Sequence, residues 1–172
     1  MGETYPVQPP AYDTGRGFLK VYSMTKVAEA GLAFLTTLWL GLLLGVSFLA
    51  TPVKFRAPSL ELPVALEVGR VTFDMFSKVE LVLAALLVIS LAILRPGVAR
   101  ILASALVILI VIVEAFWLLP ALDARVSQIV AGAPGEAGSH HMWYVLGEGS
   151  KALLLLGIAI GSLQRLGWSS RP

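Results

Sequence analysis

Four long apolar segments, near residues 30–50, 79–94, 99–119 and 143–163, constrain the fold more than any other feature of this sequence. A helix rises about 1.5 Å per residue, so about 20 apolar residues cross the hydrocarbon core of a bilayer. Of the 172 residues, 57% are hydrophobic and 14% charged, whereas soluble domains have about 45–50% apolar and about 25% charged residues. We therefore predict an all-α protein, a four-helix transmembrane bundle in contact with the lipid bilayer.

Prolines and glycines indicate where the chain leaves these segments. Residues 1–20 are polar and rich in both, which predicts a flexible N-terminal arm ahead of one transmembrane domain over residues 21–172. Proline lacks the amide hydrogen that continues a helix, so the first span is expected to end at Pro52 and the third at Pro120. The short Arg95-Pro96-Gly97 turn requires the second and third helices to be antiparallel neighbours.

Several classes of function have no support in the sequence. The absence of cysteine excludes disulfides, thiolate metal sites and cysteine nucleophiles. The net charge of +2 is too small to indicate a nucleic-acid partner. The chain also lacks a phosphate-binding glycine loop, a Gly-x-Ser-x-Gly elbow and a His-Glu-x-x-His motif. We therefore expect a protein that is not an enzyme.

The orientation follows from the basic residues near the ends of the spans, which favour the cytoplasmic side. An N-terminus in the cytoplasm puts the larger basic set inside, which predicts that both termini are cytoplasmic. The inner set is Arg16, Lys20, Lys26, Arg95, Arg100, Arg165 and Arg171, and the outer set is Lys54, Arg56, Arg70, Lys78 and Arg125.

Ionisable side chains inside the spans are the candidate functional residues. In the predicted topology Glu80, Glu114 and Glu148 fall in the same outer half of the membrane. Tyr144, Glu148 and Lys151 share a narrow face of the fourth helix. That face is expected to point into the bundle, because a charge at the centre of a membrane helix costs about 2.5–3.5 kcal/mol. These five residues form the predicted ligand-binding site.

Two interpretations of this group remain open. Glu148 and Lys151 are three residues apart and can form a buried ion pair, shared with Glu114, that fixes helix register. Alternatively, the three residues form a proton- or ligand-coupled site. A carboxylate di-metal centre would need a Glu-x-x-His pair on each of two helices, and this sequence has none.

The two histidines, His140 and His141, precede the fourth span at a loop-to-helix junction. Adjacent residues point about 100° apart on a helix, so the pair is not suited to chelating one ion. The simplest interpretation is a surface histidine beside the helix start. The alternative is a copper or zinc contact, or an axial haem ligand, from one of them. We expect no cofactor, and His140 and His141 are the metal candidates.

Two further patterns concern packing. Glu67, Arg70, Asp74 and Lys78 alternate in sign along one helix stripe, which indicates a solvated face or a docking stripe for another subunit. Glycine pairs four residues apart, Gly41 with Gly45 and Gly157 with Gly161, allow two helix backbones to approach closely. We expect spans one and four to pack tightly through them, within or between chains.

Three stretches carry a resemblance to a known family. They are Phe48-Leu-Ala-Thr-Pro-Val-Lys-Phe55, Gly69-Arg-Val-Thr-Phe73 and the late pattern His141-x-x-Tyr144-x-x-x-Glu148-x-x-Lys151. Together they resemble an uncharacterised family of bacterial four-helix integral membrane proteins, distantly similar to copper-resistance-D-like and transmembrane-protein-205-like proteins. The resemblance implies a location in the bacterial inner membrane. For copper, only His140, His141 and Met142 could serve, since cysteine and a methionine-rich cluster are lacking.

Two functional hypotheses follow. In the first, the chain is a non-catalytic interaction or assembly subunit, in a homo-oligomer or a larger membrane complex, and its buried charges set register and partner choice. In the second, the outer half of the bundle binds or transports a metal ion, a proton or an anion, with Glu114 and Glu148 as acceptors and Lys151 as the counter-charge. The first is favoured, because four spans enclose little cavity and alternating access usually relies on repeats or broken helices.

Overall fold

A computed structural model describes residues 14–132 and 139–168, and this part of the chain is helical with no strand. The α-helices are α1 (Thr14–Leu43), α2 (Thr51–Lys54), α3 (Leu62–Leu94), α4 (Val98–Val113), α5 (Leu119–Val130) and α6 (His140–Trp168). Two π-helical turns, Leu44–Ala50 and Glu114–Leu118, join α1 to α2 and α4 to α5.

Four continuous helices are long and apolar enough to cross a membrane. We call them spans one to four: Met24–Lys54, Leu62–Leu94, Val98–Val130 and His140–Gly167. The predicted all-α, four-span fold is confirmed. The predicted arm falls largely outside the described residues, and α1 already begins at Thr14.

The expectation that Pro52 and Pro120 end spans one and three is wrong. A proline ring in a helix normally clashes with the carbonyl four residues earlier. Each proline here directly follows a wider π-helical turn, in which the amide of Thr51 donates to the carbonyl of Val46 and the amide of Leu119 donates to that of Glu114. The wider turn relieves the conflict with the ring, so both helices continue beyond their prolines.

The spans form a ring in sequence order. Span one packs against spans two and four, and span three packs against the same two neighbours. The two diagonal pairs have no extensive backbone contact within the described residues. The turn at Arg95, whose φ is 46°, ends α3 and returns the chain as an antiparallel neighbour. The ring therefore alternates up and down, as the short turn predicts.

Apolar side chains from all four spans meet on the axis of the bundle. They include Leu32, Leu35 and Leu43 of span one, Leu83 and Leu87 of span two, Val107 and Val111 of span three, and Leu155 and Ile158 of span four. Large apolar side chains such as Phe34, Val82 and Leu153 cover the outward faces and are exposed. Hydrocarbon is the environment that suits such faces.

Among the described residues, the predicted glycine pairs do not form the contact between spans one and four. The two spans do pack together, but a Cβ atom added at Gly41, Gly45 or Gly157 would have no neighbour within 4 Å. At Gly161 the nearest atom is Nη2 of Arg100, at 3.9 Å. The glycine motifs therefore do not mediate this packing, and their use between chains stays a prediction.

The charged stripe on α3 is partly paired within the chain. Lys78 Nζ lies 2.8 Å from Asp74 Oδ2, and both side chains are exposed. Arg70 Nε lies 3.3 Å from Asp123 Oδ1, and Arg70 Nη1 donates a hydrogen bond to Ser127 Oγ. Exposed pairs contribute at most about 1 kcal/mol each. The stripe thus behaves as a solvated face in which Arg70 connects α3 to α5.

Candidate functional site

Four ionisable side chains from three spans meet in the bundle interior: Glu80 of α3, Glu114 of the second π-helical turn, and Glu148 and Lys151 of α6. We call them the buried charge cluster. Glu80 and Glu114 are each 3% exposed, Glu148 is 1% exposed and Lys151 is 0% exposed. The structure therefore brings four of the five predicted ligand-binding residues into direct proximity.

Lys151 is the centre of this cluster. Its Nζ donates hydrogen bonds to Glu80 Oε1 and Oε2 over 2.7 and 2.9 Å. The same Nζ lies 2.5 Å from Glu114 Oε2 and 2.6 Å from Glu148 Oε1. The sequence predicts the Glu148–Lys151 pair and its extension to Glu114. The double hydrogen bond to Glu80 makes span two a further partner.

Local sequence choices position the carboxylates. Glu148 and Lys151 share a helix face because they are three residues apart. Glu114 is the first residue of the π-helical turn before Pro120, and such turns often occur at functional sites. A Cβ atom at Gly147 would collide with the Glu114 carboxylate. Glycine at position 147 therefore gives Glu114 the space to reach Lys151.

Trp39 brings span one into contact with the cluster. Its side chain is fully buried, and its Nε1 donates a hydrogen bond of 3.0 Å to Glu80 Oε1. The sequence interpretation did not include this residue. The sequence did contain a signal for it, a tryptophan in the middle of a span. An indole N–H surrounded by hydrocarbon needs a hydrogen-bond acceptor, so such a tryptophan indicates a polar partner inside the bundle.

Tyr144, the fifth predicted residue, lies one helical turn before Glu148 on the buried face of α6. It is 5% exposed, and its ring meets that of Phe73 edge-on with centroids 5.1 Å apart. Tyr144 therefore lies between the buried charge cluster and the end of the bundle at which α6 begins.

The charges of the cluster do not balance. Three carboxylates surround one ammonium, so full ionisation would leave two excess negative charges among the described residues at this site. The oxygens of Glu114 and Glu148 accept no well-aligned hydrogen bond from the described residues. An uncompensated charge in such a setting costs several kcal/mol. Added protons or another cation can remove this cost.

The three carboxylates also have the spacing of a metal site. One oxygen from each of Glu80, Glu114 and Glu148 lies within 4.8 Å of the other two. However, the ammonium of Lys151 lies 2.5–2.7 Å from the nearest oxygen of each of the three carboxylates and occupies the centre of this triad. A metal ion would fit only if Lys151 moved away.

The histidines lie apart from the cluster. As expected, they are at the start of α6, where His140 is half-buried and His141 is exposed. The His140 ring meets the Trp117 ring edge-on, with centroids 6.2 Å apart. Among residues 14–132 and 139–168, neither histidine belongs to a group of three potential metal ligands.

A second ion pair lies at the opposite end of the bundle, and sequence reasoning missed it. Arg100 Nη1 lies 2.9 and 2.8 Å from the two oxygens of Glu29, and Arg165 Nη1 lies 4.0 Å from Glu29 Oε1. The Glu29–Arg100 pair joins diagonal spans one and three. The Glu80–Lys151 pair joins diagonal spans two and four. Ion pairs thus connect the diagonal spans, which have no extensive backbone contact within the described residues.

Loss of the central cation tests the charge balance. Lys151→Met leaves three buried carboxylates without their ammonium, so we expect it to lower the free energy of unfolding by about 3–5 kcal/mol. Glu148→Gln leaves two ion pairs on Lys151 and should cost less. Unfolding in mixed micelles, with His140→Ala as the control, measures the order. Equal stability of Lys151→Met and the wild type would contradict the assignment.

The Lys151→Met variant also has an expected pH dependence. Without the ammonium, its buried carboxyls must take up protons when the chain folds. The folded state then binds more protons than the unfolded state at neutral pH, so stability falls as pH rises. Each such proton contributes a slope of about 1.4 kcal/mol per pH unit. A stability that rises between mildly acidic and mildly alkaline pH would contradict this sign.

Gly147→Ala tests the space beside Glu114. The added methyl group displaces the Glu114 carboxylate from Lys151, so we expect a net loss of stability. Gly149→Ala is a matched control on the same helix, where the added Cβ has no neighbour within 4 Å. Better helix propensity should stabilise that variant by up to about 1 kcal/mol. The same sign for both variants in chemical unfolding would argue against a steric role for Gly147.

The chain matches a known family model. A family model described as a domain of unknown function, DUF4149, matches residues 34–129. The match includes Trp39, Glu80 and Glu114 and stops before Glu148 and Lys151. Searches of curated proteins and of solved structures gave no match. Because the family model covers more than half of a chain with four apolar helices, this multi-pass membrane protein belongs to the DUF4149 family.

Proposed function

We propose that the bundle binds and releases protons at the buried charge cluster. The observation that carries this proposal is the presence of three buried carboxylates around a single ammonium. Protons are the smallest cations that can neutralise the two remaining carboxylates, and they need no additional space. A polar group of this kind inside a membrane is usually functional.

The contacts favour a proton over the other two candidate ligands, a metal ion and an anion. A metal ion at the centre of the triad would meet the ammonium of Lys151, which repels it strongly at such short range. An anion would meet three carboxylates in a setting of low polarity. A proton on a carboxyl oxygen turns that acceptor into a donor, which can then bond to a neighbouring carboxylate.

The residues have different roles in this proposal. Glu80 stays ionised, because Lys151 donates two hydrogen bonds to it and Trp39 donates a third. Glu114 and Glu148 hold the exchangeable protons. One oxygen of each lies 2.5 and 2.6 Å from Lys151 Nζ, but neither carboxylate accepts the pair of well-aligned hydrogen bonds that Lys151 donates to Glu80. The Tyr144 hydroxyl relays protons between Glu148 and the outer end of the bundle.

The side of the membrane that supplies the protons follows from the proposed orientation. With both termini in the cytoplasm of a bacterial cell, the cluster belongs to the outer half of the inner membrane. The count of basic flanking residues supports this orientation. Protons would then enter from the outer face.

Fluorescence of Trp39 tests proton binding directly. Its indole bonds to Glu80 inside the cluster, so a change of charge at Glu114 or Glu148 should alter its emission. In a background where Trp117, Trp143 and Trp168 are replaced by phenylalanine, we expect emission to change with pH. Combining Glu114→Gln with Glu148→Gln should remove most of that change. The matched control, Asp74→Asn, alters an exposed carboxylate outside the cluster and should preserve it.

Two results would overturn proton binding. A pH response of the same size in the double glutamine variant would assign it to other groups. Emission that is constant across the stable pH range would show that the cluster keeps a fixed proton count.

A second candidate is the assembly role, in which the chain acts as a non-catalytic subunit of a homo-oligomer or a larger membrane complex. The supporting observation is that Gly41 and Gly45 of span one have free space around their Cβ positions. Small residues on such a face allow a second helix to approach closely.

Native mass spectrometry of the protein released from mild detergent tests the assembly role. We expect a defined oligomer that Gly41→Leu with Gly45→Leu dissociates. Gly31→Leu is the control, since its position also has free space but lies outside the motif. A monomer under all conditions, without a co-purifying partner, would reject this candidate.

The copper association of distantly similar proteins is a separate prediction that rests on sequence resemblance. Its carriers in this chain would be His140, His141 and Met142, of which the last two are exposed. Stoichiometric copper that is lost on His141→Ala would support it, and metal-free protein after copper loading would reject it.

A further inference from the structure

A groove with a volume of about 860 Å³ lies at the outer end of the bundle, apart from the buried charge cluster. The ends of spans one, two and three form its sides, and His141 of span four borders it. Much of its wall is apolar and includes Phe55, Leu66, Leu119 and Pro120. A ligand that fills this groove therefore needs a hydrocarbon part.

The charged residues of the groove leave a positive excess. Lys54, Arg70, Arg125, Asp74 and Asp123 all line it. Asp123 pairs with Arg70, and Asp74 pairs with Lys78 outside the groove. No carboxylate of residues 14–132 and 139–168 forms an ion pair with Lys54 or Arg125. Two cations are thus available for an anionic group.

The position of Lys54 depends on specific neighbours. Its Nζ lies 5.1 Å from the ring centroid of Phe55 and 5.8 Å from that of Phe73, distances typical of cation–π contacts. A Cβ atom at Gly69 would collide with this Nζ. The glycine and the two aromatic rings therefore hold the ammonium in the groove.

Two tryptophans indicate the depth of the groove in the membrane. Trp117 and Trp143 are each 58% exposed. Trp117 is two residues before the lining residue Leu119, and Trp143 is two residues after the lining residue His141. Tryptophan is enriched at the membrane–water interface. The groove is thus at the level of lipid headgroups.

We propose that this groove binds one anionic phospholipid. Lys54 and Arg125 bind its phosphate, and an acyl chain lies along the apolar wall. Charge complementarity favours an anionic lipid over a zwitterionic one, because the cationic headgroup of a zwitterionic lipid would meet Arg70 and Arg125. The apolar wall favours a lipid over a small free anion. This proposal does not depend on proton binding at the cluster.

Native mass spectrometry with added lipids tests the proposal on the full chain. Phosphatidylglycerol and phosphatidylcholine with identical acyl chains are titrated separately into the detergent-solubilised protein. We expect phosphatidylglycerol to bind with at least tenfold higher affinity at low occupancy. Lys54→Gln and Arg125→Gln should each reduce its affinity about fivefold, the effect of one basic residue close to an anionic lipid surface.

Two further variants separate the groove from general surface charge. Arg56→Gln removes an exposed arginine that lies next to the groove residue Phe55 but does not line the groove, and it should leave binding unchanged. Gly69→Ala displaces Lys54 without changing the charge of the protein and should weaken binding. Circular dichroism and thermal unfolding identify any variant that fails to fold, and the remaining variants then decide the result.

Three results would overturn the proposal. They are equal affinities for the two lipids, a preference that Lys54→Gln and Arg125→Gln both preserve, and competition by millimolar inorganic phosphate. The last result would assign the cations to a small free anion.

Discussion

The need to neutralise charge inside a membrane determines the arrangement of this bundle. Lys151 is fully buried, and its ammonium lies within 2.9 Å of carboxylates from spans two, three and four. Trp39 adds span one through its hydrogen bond to Glu80. A rotation of any of these helices would remove a partner from a buried polar group, which is expensive in hydrocarbon. The cluster therefore fixes the depth and rotation of all four helices.

Apolar packing holds neighbouring spans together, and buried ion pairs hold the diagonal spans together. Neighbouring spans pack through apolar side chains, which in lipid gain little from the hydrophobic effect and much from close packing. The diagonal spans are joined by charges, through Glu29 and Arg100 at one level and through Glu80 and Lys151 at the other. Leucine and valine side chains such as Leu83, Leu87 and Val107 fill the bundle interior. A ring of four helices with both diagonals connected has little freedom to shear.

Much of the candidate site could be predicted because helical periodicity determines which side chains share a face and a depth in the membrane. The spacing of Tyr144, Glu148 and Lys151 selects the buried face of span four, and the alternation of spans places Glu80 and Glu114 at a matching depth. Neither signal reveals helix rotation. The partner of Trp39 and the Glu29–Arg100 pair therefore emerged only from the structure.

The predictions that failed rested on local proline and glycine motifs, whose effect depends on the surrounding structure. Pro52 and Pro120 were expected to end their helices, but a π-helical turn before each one accommodates the ring. The glycine pairs were expected at the contact of spans one and four, but leucines and other larger side chains fill the core there. A proline or glycine motif shows which backbone conformations or approaches are possible, and the packing of the surrounding side chains determines which of them occur.

Three carboxylates around one ammonium lead us to propose that the buried charge cluster holds protons at neutral pH. Infrared difference spectroscopy of the protein in lipid measures this most directly, through the C=O stretch of protonated carboxyls and its shift in deuterium oxide. We expect such a band at neutral pH, and we expect Glu114→Gln and Glu148→Gln each to reduce it. Absence of the band at neutral pH would mean that all three carboxylates are ionised around Lys151, and it would contradict proton binding at the cluster.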